Sequence, residues 1–265
     1  MSGADTDACG PDGGAMMDAM PAGLDGNPNP ISTPERQRVI ERATQEVLDR
    51  RTPGQPCLVA IDGIDGSGKS TFADELAGQL QRRDVAVVRS TVDSFHHPRA
   101  VRWSKGRTSP VGFYLDSHDL GSLQRLLLDP FREGQGATYR VAAFDEVTDQ
   151  PIDQPGRPVT GDEVLVFDGI FANRPELTGY WDYVVFLDGR SRVELGRLGH
   201  VMADAPPGGV ELVDHVLQWV ARIDRYASGV RYYLDTVDPE ARADLVIDNN
   251  DLAKPRITQP GPSVG

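Results

Sequence analysis

Residues 57–70 read C-L-V-A-I-D-G-I-D-G-S-G-K-S, and this stretch decides the fold. Residues 57–61 form a short, wholly apolar run, which is typical of a central strand in a parallel sheet. Residues 63–70 satisfy the pattern G-x-x-x-x-G-K-[ST], and a helix is predicted from there to about residue 83. The sequence therefore predicts a strand, a phosphate loop (residues 63–70) and a helix in direct succession.

Each position of the phosphate loop has a physical task. Its glycines let the backbone curl so that N–H groups point inward, and with the positive end of the following helix they form a nest for anions. Lys69 would reach the β and γ phosphates of ATP, and the Ser70 hydroxyl would be a ligand of Mg²⁺. The predicted nucleotide-binding residues are Gly63, Asp65, Gly66, Ser67, Gly68, Lys69, Ser70 and Thr71.

Two carboxylates follow other predicted strands. Asp168 ends the apolar run V-L-V-F, where a carboxylate can approach the magnesium ion, although capping of the next helix is an alternative. Asp93 follows the second strand, whose carboxyl end should lie beside the phosphate loop in a doubly wound sheet. There it could orient an acceptor hydroxyl and take its proton, or merely cap a loop.

Composition restricts the class of protein. The chain of 265 residues has a formal net charge of −13 and 39 % apolar residues, enough for one sizeable core. This acidic balance argues against binding to nucleic acid or an anionic membrane surface. Two cysteines and the lack of a signal-peptide pattern predict a reduced, cytoplasmic protein, and no apolar run is long enough to span a membrane.

Helices and strands alternate between two polar ends. Residues 1–30 are predicted to be a disordered acidic tail, residues 31–254 a P-loop kinase domain, and residues 255–265 a flexible tail. The alternation predicts an α/β fold with a doubly wound parallel sheet of the P-loop NTPase type in three layers, α/β/α. Residues 96–118 are predicted to be an irregular loop, and a short helix from Asp119 is predicted to end at Asp129-Pro130. Residues 138–144 are predicted to form one strand.

Several spaced motifs resemble the uridine kinase family. They include residues 63–73 (G-I-D-G-S-G-K-S-T-F-A), 92–98 (V-D-S-F-H-H-P), 107–116 (R-T-S-P-V-G-F-Y-L-D) and 144–148 (F-D-E-V-T). Residues 165–171 (L-V-F-D-G-I-F) and 225–233 also match, and residues 243–251 resemble the ending of the actinobacterial uridine kinase-like branch. The likeness covers roughly residues 35–256. The first block is shared by many kinases, whereas the ordered set is more specific.

This resemblance implies transfer of the γ-phosphate of ATP to the 5′-hydroxyl of a nucleoside, uridine or cytidine. It implies that Asp93, Lys69 and Arg197 are catalytic and that ATP and Mg²⁺ are bound. For the aromatic positions, ordinary packing is the alternative to contact with the substrate. Zinc binding by the adjacent histidines is a weak signal, and one of them is expected in the acceptor pocket. The implied substrate-binding residues are Asp93, Phe95, His97, Arg107, Tyr114, Phe144, Asp145 and Arg225.

The expected phosphate lid departs from the family pattern. Arg197 matches a first lid arginine, but the second falls near Val201, where the chain reads G-H-V-M-A-D. Arg222 or Arg225 could substitute from the next helix. The chain also lacks the [NT]-K-x-D motif of a GTPase. A nucleotide-binding regulator without catalysis, or a kinase for pantothenate, a sugar or a sugar phosphate, remains an alternative, and a homo-oligomer is left open.

Overall fold

The computed structural model of the chain describes residues 33–189 and 210–259, and for residues 210–223 it describes the helical backbone alone. The strands of the central sheet are β1 (Cys57–Gly63), β2 (Val87–Thr91), β7 (Val164–Asp168), β8 (Tyr183–Asp188), β9 (Leu245–Asp248) and β10 (Arg256–Gln259). These six strands lie in the order β10-β9-β8-β1-β7-β2. All neighbours pair in parallel except β9 and β10. The predicted doubly wound parallel sheet is confirmed, apart from the antiparallel edge strand β10.

Helices cover both faces of this sheet. The helices of the described chain are α1 (Pro34–Arg50), α2 (Lys69–Gln81), α3 (Arg99–Arg102), α4 (Pro110–Asp116), α5 (Leu120–Leu123), α6 (Asp129–Glu133), α7 (Val210–Val237) and α8 (Pro239–Arg242). Alternate residues of β1 belong to different cores: Leu58 and Ala60 face the side of α4 and α7, whereas Val59 and Ile61 face α1 and α2. This alternation is the three-layer arrangement that the apolar strand predicts.

The register of the sheet aligns the functional ends of three strands. Ile61 of β1 pairs with Asp168 of β7, and Asp168 pairs with Thr91 at the end of β2. A single-turn 3-10 helix (Val92–Phe95) then begins directly after β2. The phosphate loop, Asp168 and Asp93 therefore emerge at one edge of the sheet, where ligands bind in open α/β folds.

The predicted short helix does not end at Asp129-Pro130. A π-helical turn (Gln124–Leu128) connects α5 to α6, and the chain stays helical through Pro130. Pro130 has no N–H to donate to the Leu126 carbonyl four residues earlier, and that carbonyl accepts a hydrogen bond from the Arg140 N–H at 2.7 Å instead. The missing donor is therefore compensated by a neighbouring segment.

Three other expectations are corrected. The predicted loop 96–118 contains α3 and α4, and the strand predicted over 138–144 is two strands, β3 (Thr138–Tyr139) and β4 (Phe144–Asp145). They form separate two-stranded pairs with β6 (Arg157–Pro158) and β5 (Gln150–Pro151). β10 lies in the segment predicted as a flexible tail; its exposed side chains give no burial signal, and its backbone pairs with β9. None of the described helices is long and apolar enough to cross a membrane.

Candidate active site

The phosphate loop curls around three glycines with positive φ. Gly63, Gly66 and Gly68 have φ angles of 148°, 77° and 89°, a region that side chains with a Cβ rarely adopt. At Gly63 a Cβ would also lie 2.6 Å from the Leu187 carbonyl oxygen. The loop conformation therefore requires glycine, as the motif predicts, and the last two residues of the loop are the first two of α2.

Lys69 lies inside the curl of the loop. Its ammonium donates to the Ile64 carbonyl oxygen at 2.9 Å and lies 3.8 Å from the Asp65 carboxylate. Its side chain is 9 % exposed, so the positive charge is held within the loop. Ser70 and Thr71 follow in the first turn of α2.

A buried network of polar side chains supports the phosphate loop. The Asn249 side-chain amide donates to the Ser67 carbonyl oxygen at 2.7 Å, and the Asn249 amide oxygen accepts from Arg36 at 3.3 Å. Arg36 of α1 also pairs with Glu75 of α2 at 2.8 Å. Sequence reasoning did not identify these residues, although Asn249 lies in a segment that carried the family resemblance. Their contacts tie the loop to three separate elements.

Asp62, which directly precedes the loop, is a completely buried carboxylate. It accepts hydrogen bonds from the Tyr233 hydroxyl and from the backbone N–H groups of Gly63 (2.8 Å), Ala172 (3.3 Å) and Asn173 (3.3 Å). Burial raises the pKa of Asp62 to about 6, and these hydrogen bonds oppose that shift. Asp62 therefore joins the loop to α7 and to the segment that follows β7.

Ser70 and Asp168, the predicted magnesium pair, are in contact. The Ser70 hydroxyl donates to one Asp168 carboxylate oxygen at 2.7 Å, and the other oxygen accepts from the Arg89 guanidinium at 2.8 Å. A hydroxyl and a carboxylate at the end of the phosphate loop are hard oxygen donors of the kind that Mg²⁺ prefers. The donor chemistry of this pair therefore fits a magnesium ion.

A cavity of about 190 Å³ lies beside the phosphate loop. Asp65 of the loop and Asp93 both line it. The Asp93 side chain is exposed to this cavity, yet crowding by protein atoms raises its pKa. The carboxylates of Asp65 and Glu146 act in the same direction, whereas His96 and Lys69 lower the pKa. The rest of the lining consists of His96, Arg102, Trp103, Phe113, Ser117, His118, Glu146, Ile170, Arg225 and Tyr226.

An ion-pair network forms one wall of the cavity. Arg102 of α3 is buried and binds Glu146 at 2.7 Å and Asp149 at 3.5 Å. Glu146 lies 3.6 Å from Nδ1 of His96, whose ring contacts the ring of His118. Burial lowers the pKa of His118 well below its ordinary value. Sequence reasoning missed Arg102, Glu146 and His118, because their segments meet only in the tertiary fold.

Some of the residues predicted to bind substrate line the cavity, and others do not. Arg225 lines the cavity and donates to the backbone carbonyl of Arg107 at 2.8 Å, while the Arg107 guanidinium lies 4.1 Å from the centre of the Trp103 ring. Arg225 therefore connects the cavity to Arg107, which does not itself line it. His97 does not line it, and its neighbour His96 does. Phe95 is completely buried in the core.

Three further predicted residues have structural contacts away from the cavity lining. Tyr114 is buried, with its ring 5.0 Å from that of Phe171. Phe144 is also buried. Asp145 accepts from the N–H of Val147 at 2.9 Å, and hydrogen bonds within this turn lower its pKa. Residues 190–203, which include the predicted lid arginine Arg197, lie outside the described residues, and the side chain of Arg222 is not described.

The fold and the phosphate loop define a P-loop protein. The family model of the phosphoribulokinase / uridine kinase family matches residues 58–248, and the chain belongs to this family. The chain resembles a solved structure of a possible uridine kinase from Bacillus stearothermophilus with a TM-score of 0.60 and 25 % identity, covering 79 % of this chain and 97 % of the other.

Curated relatives carry different substrate names. The chloroplastic uridine/cytidine kinase UKL1 of Arabidopsis thaliana is 25 % identical over 222 residues, covering 79 % of this chain and 43 % of that protein. The pantothenate kinase of Clavibacter michiganensis is 27 % identical over 166 residues, covering 57 % and 50 %. The chain spans about half the length or less of these curated relatives. These similarities support a kinase fold with a small-molecule acceptor more strongly than any one acceptor.

Proposed function

We propose that this chain is an ATP-dependent kinase that transfers the γ-phosphoryl group to the 5′-hydroxyl of uridine or cytidine. The observation that carries the proposal is a cavity that touches the phosphate loop at Asp65 and exposes the carboxylate of Asp93. The aromatic side chains of Trp103, Phe113 and Tyr226 line the same cavity and offer apolar surface to a planar base. A cytoplasmic location stays a prediction.

The residues of the phosphate loop would hold the donor nucleotide. Its inward N–H groups and Lys69 would bind the phosphates, and Ser70 with Asp168 would hold Mg²⁺ through hard oxygen atoms. When bound, magnesium would neutralise negative charge on the phosphates. Arg89 already engages one Asp168 oxygen and fixes the orientation of that carboxylate.

Asp93 would act on the acceptor hydroxyl. The acceptor oxygen forms a bond to the γ-phosphorus, the bond from that phosphorus to the β–γ bridging oxygen breaks, and ADP leaves. The acceptor proton passes to the Asp93 carboxylate. The raised pKa of Asp93 brings the base nearer to the operating pH, where general bases are most effective.

Acceptor identity is tested by ADP release with a panel of compounds in the presence of Mg-ATP. We expect turnover with uridine and cytidine and much slower turnover with pantothenate, sugars and sugar phosphates. Turnover with one of these other acceptors and with no nucleoside would contradict the nucleoside assignment while keeping the kinase.

Catalysis itself is tested by Asp93→Asn. Loss of the base should lower kcat by roughly 10²- to 10⁴-fold while ATP binding is retained. Asp84→Asn is the matched control, because Asp84 is an exposed residue with φ of 60°, which asparagine also accepts, and it does not line the cavity. ATP binding without turnover in the wild-type chain, for every acceptor, would support the regulator instead.

A further inference from the structure

Asp93, His96 and His118 form a cluster on the cavity surface. One potential ligand atom from each residue lies within 4.8 Å of the other two. Asp93 lies in the 3-10 turn (Val92–Phe95), and His96, three positions later, is the residue that caps its end; in a 3-10 repeat, side chains three residues apart lie one above the other. The local backbone therefore places Asp93 and His96 on the same side of the turn.

The third member is positioned by backbone pairing between distant segments. His96 and His118 form an antiparallel bridge, flanked by hydrogen bonds from His97 N–H to Ser117 carbonyl (2.9 Å) and from Asp119 N–H to Phe95 carbonyl (2.7 Å). The two imidazole rings lie with centroids 4.6 Å apart. The side-chain cluster is thus built on paired backbone.

The surroundings of His96 orient its ring. Its Nδ1 lies 2.9 Å from the Asp93 carbonyl oxygen and 3.6 Å from the Glu146 carboxylate, which Arg102 holds at 2.7 Å. A proton on Nδ1 directed to these acceptors leaves the lone pair on Nε2. Histidines that bind metals are usually held in this way, with the second nitrogen donating to a carbonyl or carboxylate.

We propose that Asp93, His96 and His118 bind a divalent transition-metal ion, Zn²⁺ in particular. Two imidazoles and one carboxylate are a typical three-ligand set for zinc, and the cavity leaves a fourth position open to water. The nitrogen ligands distinguish this site from the oxygen donors Ser70 and Asp168. The sequence pattern was only a weak signal for zinc binding, because the third ligand, His118, lies 22 positions after His96.

A metal ion at this site would occupy the carboxylate that the proposed phosphotransfer needs. Zn²⁺ should therefore inhibit the reaction in competition with the acceptor. This consequence rests on the proposed function, whereas metal binding does not.

Metal binding is measured on the full chain, stripped with a chelator and free of nucleotide. Zn²⁺ is titrated in competition with a chromophoric chelator, and Co²⁺ is titrated as a spectroscopic probe of tetrahedral nitrogen ligation. His96→Ala and His118→Ala should each weaken binding at least about tenfold and abolish the tetrahedral cobalt spectrum. His97→Ala is the matched control and should bind as the wild type does. Circular dichroism verifies that each variant is folded. If His118→Ala is unfolded, His96→Ala is the decisive variant, because His96 is partly exposed.

The proposal is overturned if the wild type and His96→Ala bind Zn²⁺ equally, or if His97→Ala is as defective as His96→Ala. Either result would mean that the contact between the His96 and His118 rings is ordinary side-chain packing. In the activity assay, the rate of phosphotransfer is measured with and without Zn²⁺ for each variant separately, and the ratio of the two rates reports inhibition. Zinc binding without any phosphotransfer would support the metal site and contradict the proposed function, so the two failures are distinguishable.

Discussion

Replacing Tyr233 by phenylalanine removes one hydroxyl group from the buried contact between α7 and the phosphate loop. That hydroxyl donates to the Asp62 carboxylate, and both residues are nearly or completely buried. The ring keeps its edge-to-face contact with Phe171, so little apolar packing is lost. A hydrogen bond to a charged group contributes about 1.5–3 kcal/mol, and we expect the free energy of unfolding to fall by about 2 kcal/mol near pH 7.

The cost of Tyr233→Phe should depend on pH in a definite direction. Because burial raises the pKa of folded Asp62 to about 6 from an ordinary value of 3.8, the contribution of this group to stability is full below about pH 4 and is lost as the pH rises through 6. The Tyr233 hydrogen bond lowers that pKa, so it stabilises the ionised carboxylate more than the neutral acid. Near pH 5 the cost should therefore fall to about 1 kcal/mol, as for a neutral hydrogen bond.

The assay is urea unfolding of both chains without nucleotide, at about pH 7 and about pH 5. Tyr232→Phe is the matched control on the same helix, because Tyr232 is 50 % exposed, and it should change stability by less than about 0.5 kcal/mol. Equal effects of the two substitutions at about pH 7, or a cost of Tyr233→Phe that rises toward pH 5, would refute the reasoning about Asp62.

Two further substitutions test the support of the site. Asn249→Ala removes the donor to the Ser67 carbonyl and should raise the dissociation constant of ATP roughly fivefold, about 1 kcal/mol. The dissociation constant is measured with a fluorescent ATP analogue. Asn250→Ala is the control and should not raise it. Gly169→Ala would place a Cβ 2.5 Å from Val92 and should lower the free energy of unfolding by about 1–3 kcal/mol. Gly179→Ala, with no atom within 4 Å of its added Cβ, is the control, and equal losses would contradict the overpacking argument.

The central part of the fold could be predicted because its signals are local. The run 57–61 is apolar at every position since helices cover both faces of β1, and the glycines of the loop occupy φ values that other residues avoid. α1 begins where the side chain of Thr33 accepts a hydrogen bond from the N–H of Arg36 and Pro34 occupies the first helical position, a local signal of a helix start. Each of these features depends on a few adjacent residues.

The cavity wall could not be predicted in the same way. Arg102, His118 and Glu146 come from three short or irregular segments, and each is positioned by partners far along the chain. No periodic pattern marks such residues, because their burial depends on how the segments meet. The same limit explains β10, which is recognisable only from its backbone pairing with β9.

The assignment of the adjacent histidines shows how local geometry decides a site. If β2 continued as an extended strand, side chains would alternate, and Asp93, Phe95 and His97 would share one face. The chain instead enters a 3-10 turn after Thr91, whose hydroxyl accepts from the Asp93 N–H, and the repeat becomes three residues. Asp93 then lies on the same side as His96, while Phe95 points into the core. The change from a period of two to a period of three, at a single residue, therefore determines which histidine meets the cavity.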